Sequence, residues 1–340
     1  MAHEISIRKN GFAEMAYVGE KPWHSLGQAV TKGASIEVWE KEAGLDWEAK
    51  AARVEYKNED GLLLPYDGKR VIYRSDTMNP VGLVSDKYEI VQPKQILGMF
   101  RKMIEGAGWY IHTAGALRGG AKLWVMATHD RLTGTVGKAD RIKCNLLCAT
   151  SLDGSMRTLA KPVSERVVCA NTLAVALSED GEEVSMSHRS AIDMEDFAGS
   201  LENVGVSFEQ FVEHANELAE KMIGTDEAVE VLRSIFGQPT VKEIKPSSPD
   251  YEFQKLMAQV AGQTGKLREQ KSVTRCLELF AGEGMGAGLP GSVGTAWGLL
   301  NSITEHLDHE VGRTTDGRMD SAWFGRGEQI KHRALELLAG

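Results

Sequence analysis

Cysteine is scarce in this 340-residue chain, and long apolar runs are absent from it. Four cysteines are too few for the disulfide framework of a secreted domain. No apolar run approaches the roughly 20 residues that a membrane-spanning helix requires. The first fifteen residues are polar and charged, unlike a secretory signal. We therefore expect a protein that is made and kept in the cytoplasm and that has no membrane partner.

Complete metal and nucleotide motifs are also missing. Cys144 and Cys148 have the spacing of half a zinc site, but no second pair follows, so we interpret them as buried free thiols. The glycine-rich stretch at 281–294 has no Lys-Ser/Thr step after its glycines, which excludes a triphosphate-binding loop. The sequence therefore predicts no cofactor.

His306 and His309 are the remaining candidates for a metal site. They lie three residues apart, which places them on one helix face, and Glu305 or Glu310 would add a carboxylate oxygen. The residue order is not the HExxH of a zinc protease, and a polar helix surface is our preferred interpretation. A metal-dependent nuclease or hydrolase stays as an alternative, although the sequence favours a non-enzyme.

The order of predicted elements indicates an α+β protein. We expect a mixed or antiparallel sheet body with packed helices, followed by a mainly helical C-terminal part. Turn residues separate strand-like runs up to residue 168, and Asn171 is expected to cap a following helix. The predicted divisions are an N-terminal arm at 1–34, an α+β core domain at 35–236, a linker at 237–252 and a helical region at 253–340.

Charge is distributed unevenly along the chain. The net charge is −9, yet residues 101–170 carry 11 basic and 5 acidic side chains, a balance of +6, while residues 171–235 carry 3 and 15, a balance of −12. Because binding to phosphates depends on local potential, the overall acidity does not exclude nucleic acid. The opposite charges of the two segments predict self-association into a homo-oligomer. The acidic segment also permits a protein-interaction module, for example in counter-defence.

Basic and aromatic residues alternate within the strand-like runs of residues 101–170. Binders of single strands need this pairing, because cations track the phosphates while bases stack on aromatic faces. The same pattern also fits a sheet whose aromatic residues form the core and whose cations are solvated. The candidate nucleic-acid-binding residues are Arg118, Lys122, Trp124, Arg131, Lys138, Arg141, Lys143, Arg157, Lys161 and Arg166.

Several long strings resemble a family of phage- and plasmid-borne proteins of unknown function. They are MAYVGEKPWHSLG, VGLVSDKYEIVQ, GALRGGAKLWVMA, RVVCANTL, GTAWGLLNSITEHLDHEVGR and DSAWFGRG. The resemblance implies a setting among the replication, recombination and counter-defence genes of mobile elements, and it supplies no catalytic residue.

A second similarity concerns only the arrangement of elements. A short helix, Trp47 at the start of a strand-like run, further strands and a helix are similar to the core of Rad-type single-strand annealing proteins. Those proteins assemble as rings around a basic groove. We therefore predict an oligomeric protein that binds or anneals single-stranded DNA during the replication or recombination of a mobile element.

Overall fold

A computed structural model describes most of the chain as an α+β fold. The residues it describes are 5, 7–8, 10–19, 26–98, 100, 108–168, 172–174, 184–186, 188, 204–236, 271–312 and 315–340. Within them, strands form two sheets, and helices fill the C-terminal part. The predicted fold class is confirmed. The predicted linker at 237–252 lies outside the described residues.

The large sheet has eight strands in the described part of the chain, in the order β10-β9-β8-β7-β6-β1-β2, with β11 also paired to β9. Only β1 and β2 run parallel; the other pairs are antiparallel. Its strands are β1 Met15–Tyr17, β2 Gln28–Ala29, β6 Trp109–Leu117, β7 Lys122–Val136, β8 Asp140–Ser151, β9 Thr158–Arg166, β10 Thr172–Ala174 and β11 Val184–Met186.

Side chains from both faces of the large sheet are buried, which explains the near-continuous apolar runs of its central strands. Leu123 and Val125 of β7 belong to one core, which also contains Phe208. Trp124, between them in sequence, belongs to a second core on the opposite face with Met319. Because successive side chains of a strand alternate between faces, one strand contributes to both cores.

The small sheet has three antiparallel strands in the order β3-β4-β5. They are β3 Ala49–Lys57, β4 Leu63–Arg74 and β5 Pro80–Ser85. Ala49, Ile72 and Val84 are buried at one end and pack into the core with the large sheet. The outer half is exposed on β3 and β4. The register of β3 on β4 shifts between Arg53 and Glu55, where a β-bulge or similar irregularity interrupts the ladder.

Helices close the structure on both sides of the large sheet. They are α1 Ile36–Glu42, α2 Pro93–Gly98, α3 Val204–Glu220, α4 Thr225–Phe236, α5 at 271–278, α6 Ala296–Glu305, α7 Thr315–Phe324 and α8 Arg326–Ala339. The α3 helix packs on β7, and α8 contacts α4, α6 and α7. No helix among the described residues is long and apolar enough to cross a membrane.

A buried ion pair joins the two sheets. The guanidinium of Arg74, at the end of β4, donates two hydrogen bonds to the carboxylate of Glu14, at 2.6 and 2.8 Å, and further bonds to Asp76. Arg74 and Glu14 are each only 3% exposed, and Arg74 lies 4.3 Å from the ring centre of Trp47. Glu14 precedes β1, so this pair anchors the small sheet to the N-terminal edge of the large one.

One predicted helix is a strand. We expected Asn171 to cap a helix, but Thr172–Ala174 form β10, which pairs antiparallel with β9; Asn171 itself lies outside the described residues. The backbone groups along the free side of β9 need partners, and pairing in the sheet supplies them regardless of the local helical preference of the sequence.

Candidate nucleic-acid interface

A cleft of about 890 Å³ opens between the edge of the small sheet and the turn that joins β8 to β9. Residues 83–85 and 87–88, together with Lys69, line one side of the cleft, and residues 153–157 line the other. The two sides approach each other most closely at Gly82, where an added Cβ would lie 2.4 Å from the Cα of Asp153. A residue with a side chain would force the two backbones apart, so glycine sets the spacing at this end of the cleft.

Three cations line the cleft. Lys69 and Lys87 come from the small sheet and the turn after it, and Arg157 comes from the β8–β9 turn. All three are exposed. Among the lining residues the single acid is Asp153, whose Oδ1 accepts a hydrogen bond from the backbone N–H of Ser155 at 2.9 Å. The lining therefore has an excess of positive charge, which attracts phosphates.

An aromatic pair lies at the inner end of the cleft. The rings of Tyr88 and His188 are stacked, with centres 4.4 Å apart and planes 15° from parallel. The Tyr88 hydroxyl donates to the Ser151 carbonyl at 2.7 Å, and the Nδ1 of His188 is 3.0 Å from the Glu89 carbonyl oxygen. Burial raises the pKa of Tyr88 to about 12 and lowers the pKa of His188. Both rings are consequently neutral at pH 7, and the charge of the cleft comes from its lysines and arginine.

Three of the predicted nucleic-acid-binding residues instead hold the C-terminal helices against the large sheet. Lys122, 7% exposed, donates to the carboxylate of Asp320 on α7. Lys161, 4% exposed, donates to the Trp323 carbonyl at 2.8 Å and also pairs with a glutamate on α8. Trp124 is 1% exposed and packs edge-to-face on the Trp323 ring, with centres 5.0 Å apart. These side chains face the protein interior, so they are not available to a nucleic acid.

Arg166 is also an internal residue. Its guanidinium, 3% exposed, bonds both carboxylate oxygens of Asp140 at 2.7 and 2.9 Å. It also donates to the carbonyls of Met285 and Gly286, at 2.9 and 3.1 Å. The glycine-rich stretch therefore wraps a buried ion pair rather than a phosphate. The indole N–H of Trp297 on α6 completes the group by donating to Asp140 at 2.8 Å.

The other predicted cations lie at the surface in three places. Arg131, Lys138 and Arg141 are exposed along the outer part of the β7–β8 hairpin, and Lys143 is half-buried on β8. Arg118 is 53% exposed and pairs with Asp320 at 2.5 Å. Arg157 alone lies in the cleft. The predicted residues thus do not form one continuous surface.

His306, one of the two predicted metal candidates, is engaged by neighbouring side chains. The Nδ1 of His306 lies 2.8 Å from Glu310, and its Nε2 lies 3.1 Å from the Ser272 hydroxyl. Glu305 accepts hydrogen bonds from the backbone N–H of Met285. In the described part of the chain, no group of three or more His, Cys, Asp or Glu side chains is arranged to hold a metal. Cys144, Cys148 and Cys276 are buried thiols.

Sequence reasoning missed four residues of the cleft. Lys69, Lys87, Tyr88 and His188 lie outside the basic segment and are separated from Arg157 by about 30 to 90 positions along the chain. The sequence signal was limited to a lysine in each of the strings YDGK and SDKY. The composition of YDGK predicts a turn, but these residues lie within β4. Only the docking of the small sheet on the β8–β9 turn brings these residues together.

Comparison with known proteins gave one match. A family model described as a domain of unknown function, DUF932, matches residues 80–323, which run from the start of β5 to the last turn of α7. The match includes Lys87 and Arg157 of the cleft and leaves out β3 and β4. No curated protein and no solved structure matches the chain.

Proposed function

Because the chain belongs to the DUF932 family, whose function is unknown, we propose a function from its geometry: it binds single-stranded DNA in the cleft between the two sheets. The resemblance of its sequence strings to phage- and plasmid-borne proteins supports a role in the replication or recombination of a mobile element. Annealing of complementary strands is the activity that such a role would use.

The observation that carries the proposal is the lining of the cleft. Lys69 and Lys87 on one side and Arg157 on the other place positive charge on both sides of a channel. Leu83, 54% exposed, and the half-buried ring of Tyr88 add apolar and flat surface between them. A single strand needs both kinds of surface, because its phosphates seek cations and its unpaired bases seek stacking partners.

The shape of the cleft favours a single strand over a duplex. Its volume of about 890 Å³ falls within the roughly 300–1,000 Å³ of typical ligand clefts. Duplex DNA is read by protruding helices or ribbons that enter its grooves, whereas a single strand lies in a concave channel. The cleft is concave and bordered by cations, so we expect it to accept a few nucleotides of unpaired strand.

The test is binding of a fluorescently labelled oligodeoxythymidine, measured by anisotropy across a salt series. Three phosphate contacts on a single strand predict a slope of log affinity against log salt of about −2. The triple variant Lys69→Gln, Lys87→Gln, Arg157→Gln should bind at least about tenfold more weakly at low salt and show a slope near zero. A labelled duplex of the same length should bind more weakly than the single strand.

The matched control removes the same charge elsewhere. The triple variant Arg131→Gln, Lys138→Gln, Arg141→Gln loses three exposed cations from the β7–β8 hairpin. It should keep the affinity and the salt slope of the unmodified protein. Equal losses in both triples would show that only net charge matters, and a loss in the control alone would move the site to the hairpin. Absence of binding even at low salt would exclude the proposed function altogether.

A further inference from the structure

The outer side of β3 is an open sheet edge in the part of the chain that the structure describes. Within the described residues, β3 pairs only with β4. The side chain of Gln92 bonds both the N–H and the carbonyl of Ala49, at 2.9 and 3.0 Å, so the backbone groups of Ala49 point away from β4. Backbone groups alternate in direction along a strand, which means that residues 51, 53, 55 and 57 also point outward. These four residues are exposed.

The pairing of the hairpin agrees with this assignment. Asn58 follows β3, and its N–H bonds the carbonyl of Leu62 across the turn at 3.0 Å. Even-numbered residues therefore point toward β4. Glu55 lies opposite Pro65, which has no N–H to offer, as expected for a position whose own groups point outward. The free edge thus runs from residue 51 to residue 57, between the Gln92 cap and the turn.

One face of this edge strand is apolar. Cross-strand neighbours share a face, and Ala52 lies beside Val71, which lies beside Leu83. Tyr56 is on the same face of β3 and is 49% exposed, and Leu83 is 54% exposed. An exposed strand of this length with apolar side chains and unpaired backbone groups is a template for pairing with another strand.

We propose that β3 pairs antiparallel with β3 of a second copy of the chain, around a two-fold axis at Val54. In this register Arg53 faces Glu55 of the second copy, and Glu55 faces Arg53, so two pairs of opposite charge form on one face. On the other face Val54 lies opposite Val54 of the second copy, and Ala52 lies opposite Tyr56 of the second copy. All outward-pointing backbone groups from residue 51 to residue 57 find partners.

The charge pattern selects this register over its neighbours. Moving the axis to Arg53 places two arginines opposite each other, and moving it to Glu55 places two glutamates opposite each other. Like charges directly across a ladder oppose pairing, whereas opposite charges support it. Because the same surface is used on both copies, the contact closes on itself and yields a dimer rather than a filament.

The contact is separate from the cleft. The cleft lies at β5, on the other edge of the small sheet, and β3 lies outside the residues that match the family model. Dimerisation therefore does not depend on the proposed binding of DNA, and each can fail without the other.

The test exchanges the charges at positions 53 and 55 and measures the mass of the protein in solution. We expect the unmodified chain to be a dimer by light scattering coupled to gel filtration. Glu55→Arg places arginines opposite Arg53, and Arg53→Glu places glutamates opposite Glu55; each should raise the dimer dissociation constant about tenfold or more. The double variant Arg53→Glu, Glu55→Arg restores opposite charges and should be a dimer again.

Mixing supplies a second readout. The two single variants carry complementary charges, so an equimolar mixture should form mixed dimers although each variant alone does not dimerise well. Both positions are exposed, and circular dichroism with thermal melting should show unchanged folding in every variant. A monomeric unmodified chain, or an oligomer whose mass is the same in all three variants, would overturn the proposal.

Discussion

The covered part of the large sheet and the outer half of the small sheet use cations in opposite ways. On the large sheet, Lys122, Lys161 and Arg166 are nearly fully buried and end in ion pairs with residues of the same chain. On the outer half of the small sheet, Arg53 and Lys69 are exposed. The difference comes from what covers each region. Helices α7 and α8 cover Lys122 and Lys161, and the glycine-rich stretch covers Arg166, while the outer half of the small sheet has no cover among the described residues.

A run of cations and aromatic residues on strands therefore does not by itself predict a binding surface. Where other parts of the chain cover it, the cation pairs with a carboxylate, so its removal should lower the free energy of unfolding. Without such cover, the cation remains available to a ligand or a second copy, and its removal should change binding. Measurements of stability and of binding on matched variants therefore distinguish covered cations from uncovered ones.

The largest effect is expected from Arg166→Gln. The substitution leaves Asp140, which is 0% exposed, as a buried carboxylate without its cation, so the free energy of unfolding should fall by about 3–5 kcal/mol. Urea denaturation followed by circular dichroism measures this. The matched control Arg141→Gln, at an exposed position of β8, should change it by less than about 0.5 kcal/mol. Equal effects of the two substitutions would remove the distinction between buried, paired cations and exposed ones.

A smaller effect is expected at the contact between the sheets. Gly82→Ala adds a Cβ 2.4 Å from the backbone of Asp153, so the strand or the turn must shift, at a cost of about 1–3 kcal/mol in the free energy of unfolding. The control Gly98→Ala lies at the end of α2 with no atom within 4 Å of the new Cβ, and it should be neutral within about 0.5 kcal/mol. If both variants unfold at the same urea concentration, the small sheet does not rest on the turn as described.

The smallest effect concerns pH. Burial lowers the pKa of His188 in the folded protein below its ordinary value of 6.5, so the unfolded chain takes up the proton more readily. The free energy of unfolding should then fall as the pH drops below about 6.5, through the folded pKa. His188→Gln should reduce this fall in urea titrations between about pH 7.5 and about pH 5.5. An identical pH slope in the variant and in the unmodified protein would contradict the burial of His188.

Local structure was largely predictable from the sequence. The turns at Gly119-Gly120 and Asp153-Gly154 separate the strands as expected, because these glycines have positive φ angles that other residues rarely adopt. The helical spacing of Phe208, Leu218 and Met222 in the sequence predicts one apolar helix face. Phe208 and Leu218 are buried on α3, but Met222 is 70% exposed, because it lies beyond the last residue of the helix.

The partners that individual side chains contact were not predictable from the sequence. Lys122 pairs with Asp320, which is 198 positions away, and Lys161 pairs with Glu328, which is 167 positions away. Periodicity shows which face of a strand a residue occupies, but not which distant helix will cover that face. The same limit explains why Arg157 was found while its neighbours Lys69 and Lys87 were not.

The long separation of these pairs has a consequence for biosynthesis. The strands β6 to β9 form a sequential meander and can pair as soon as residue 166 has left the ribosome. Trp124 and Lys122 then lie on an uncovered sheet until Trp323 and Asp320 are synthesised, about 200 residues further along the chain. During that interval the nascent chain exposes an apolar, cationic sheet face, which is the kind of surface that chaperones hold and that premature termination would leave permanently open.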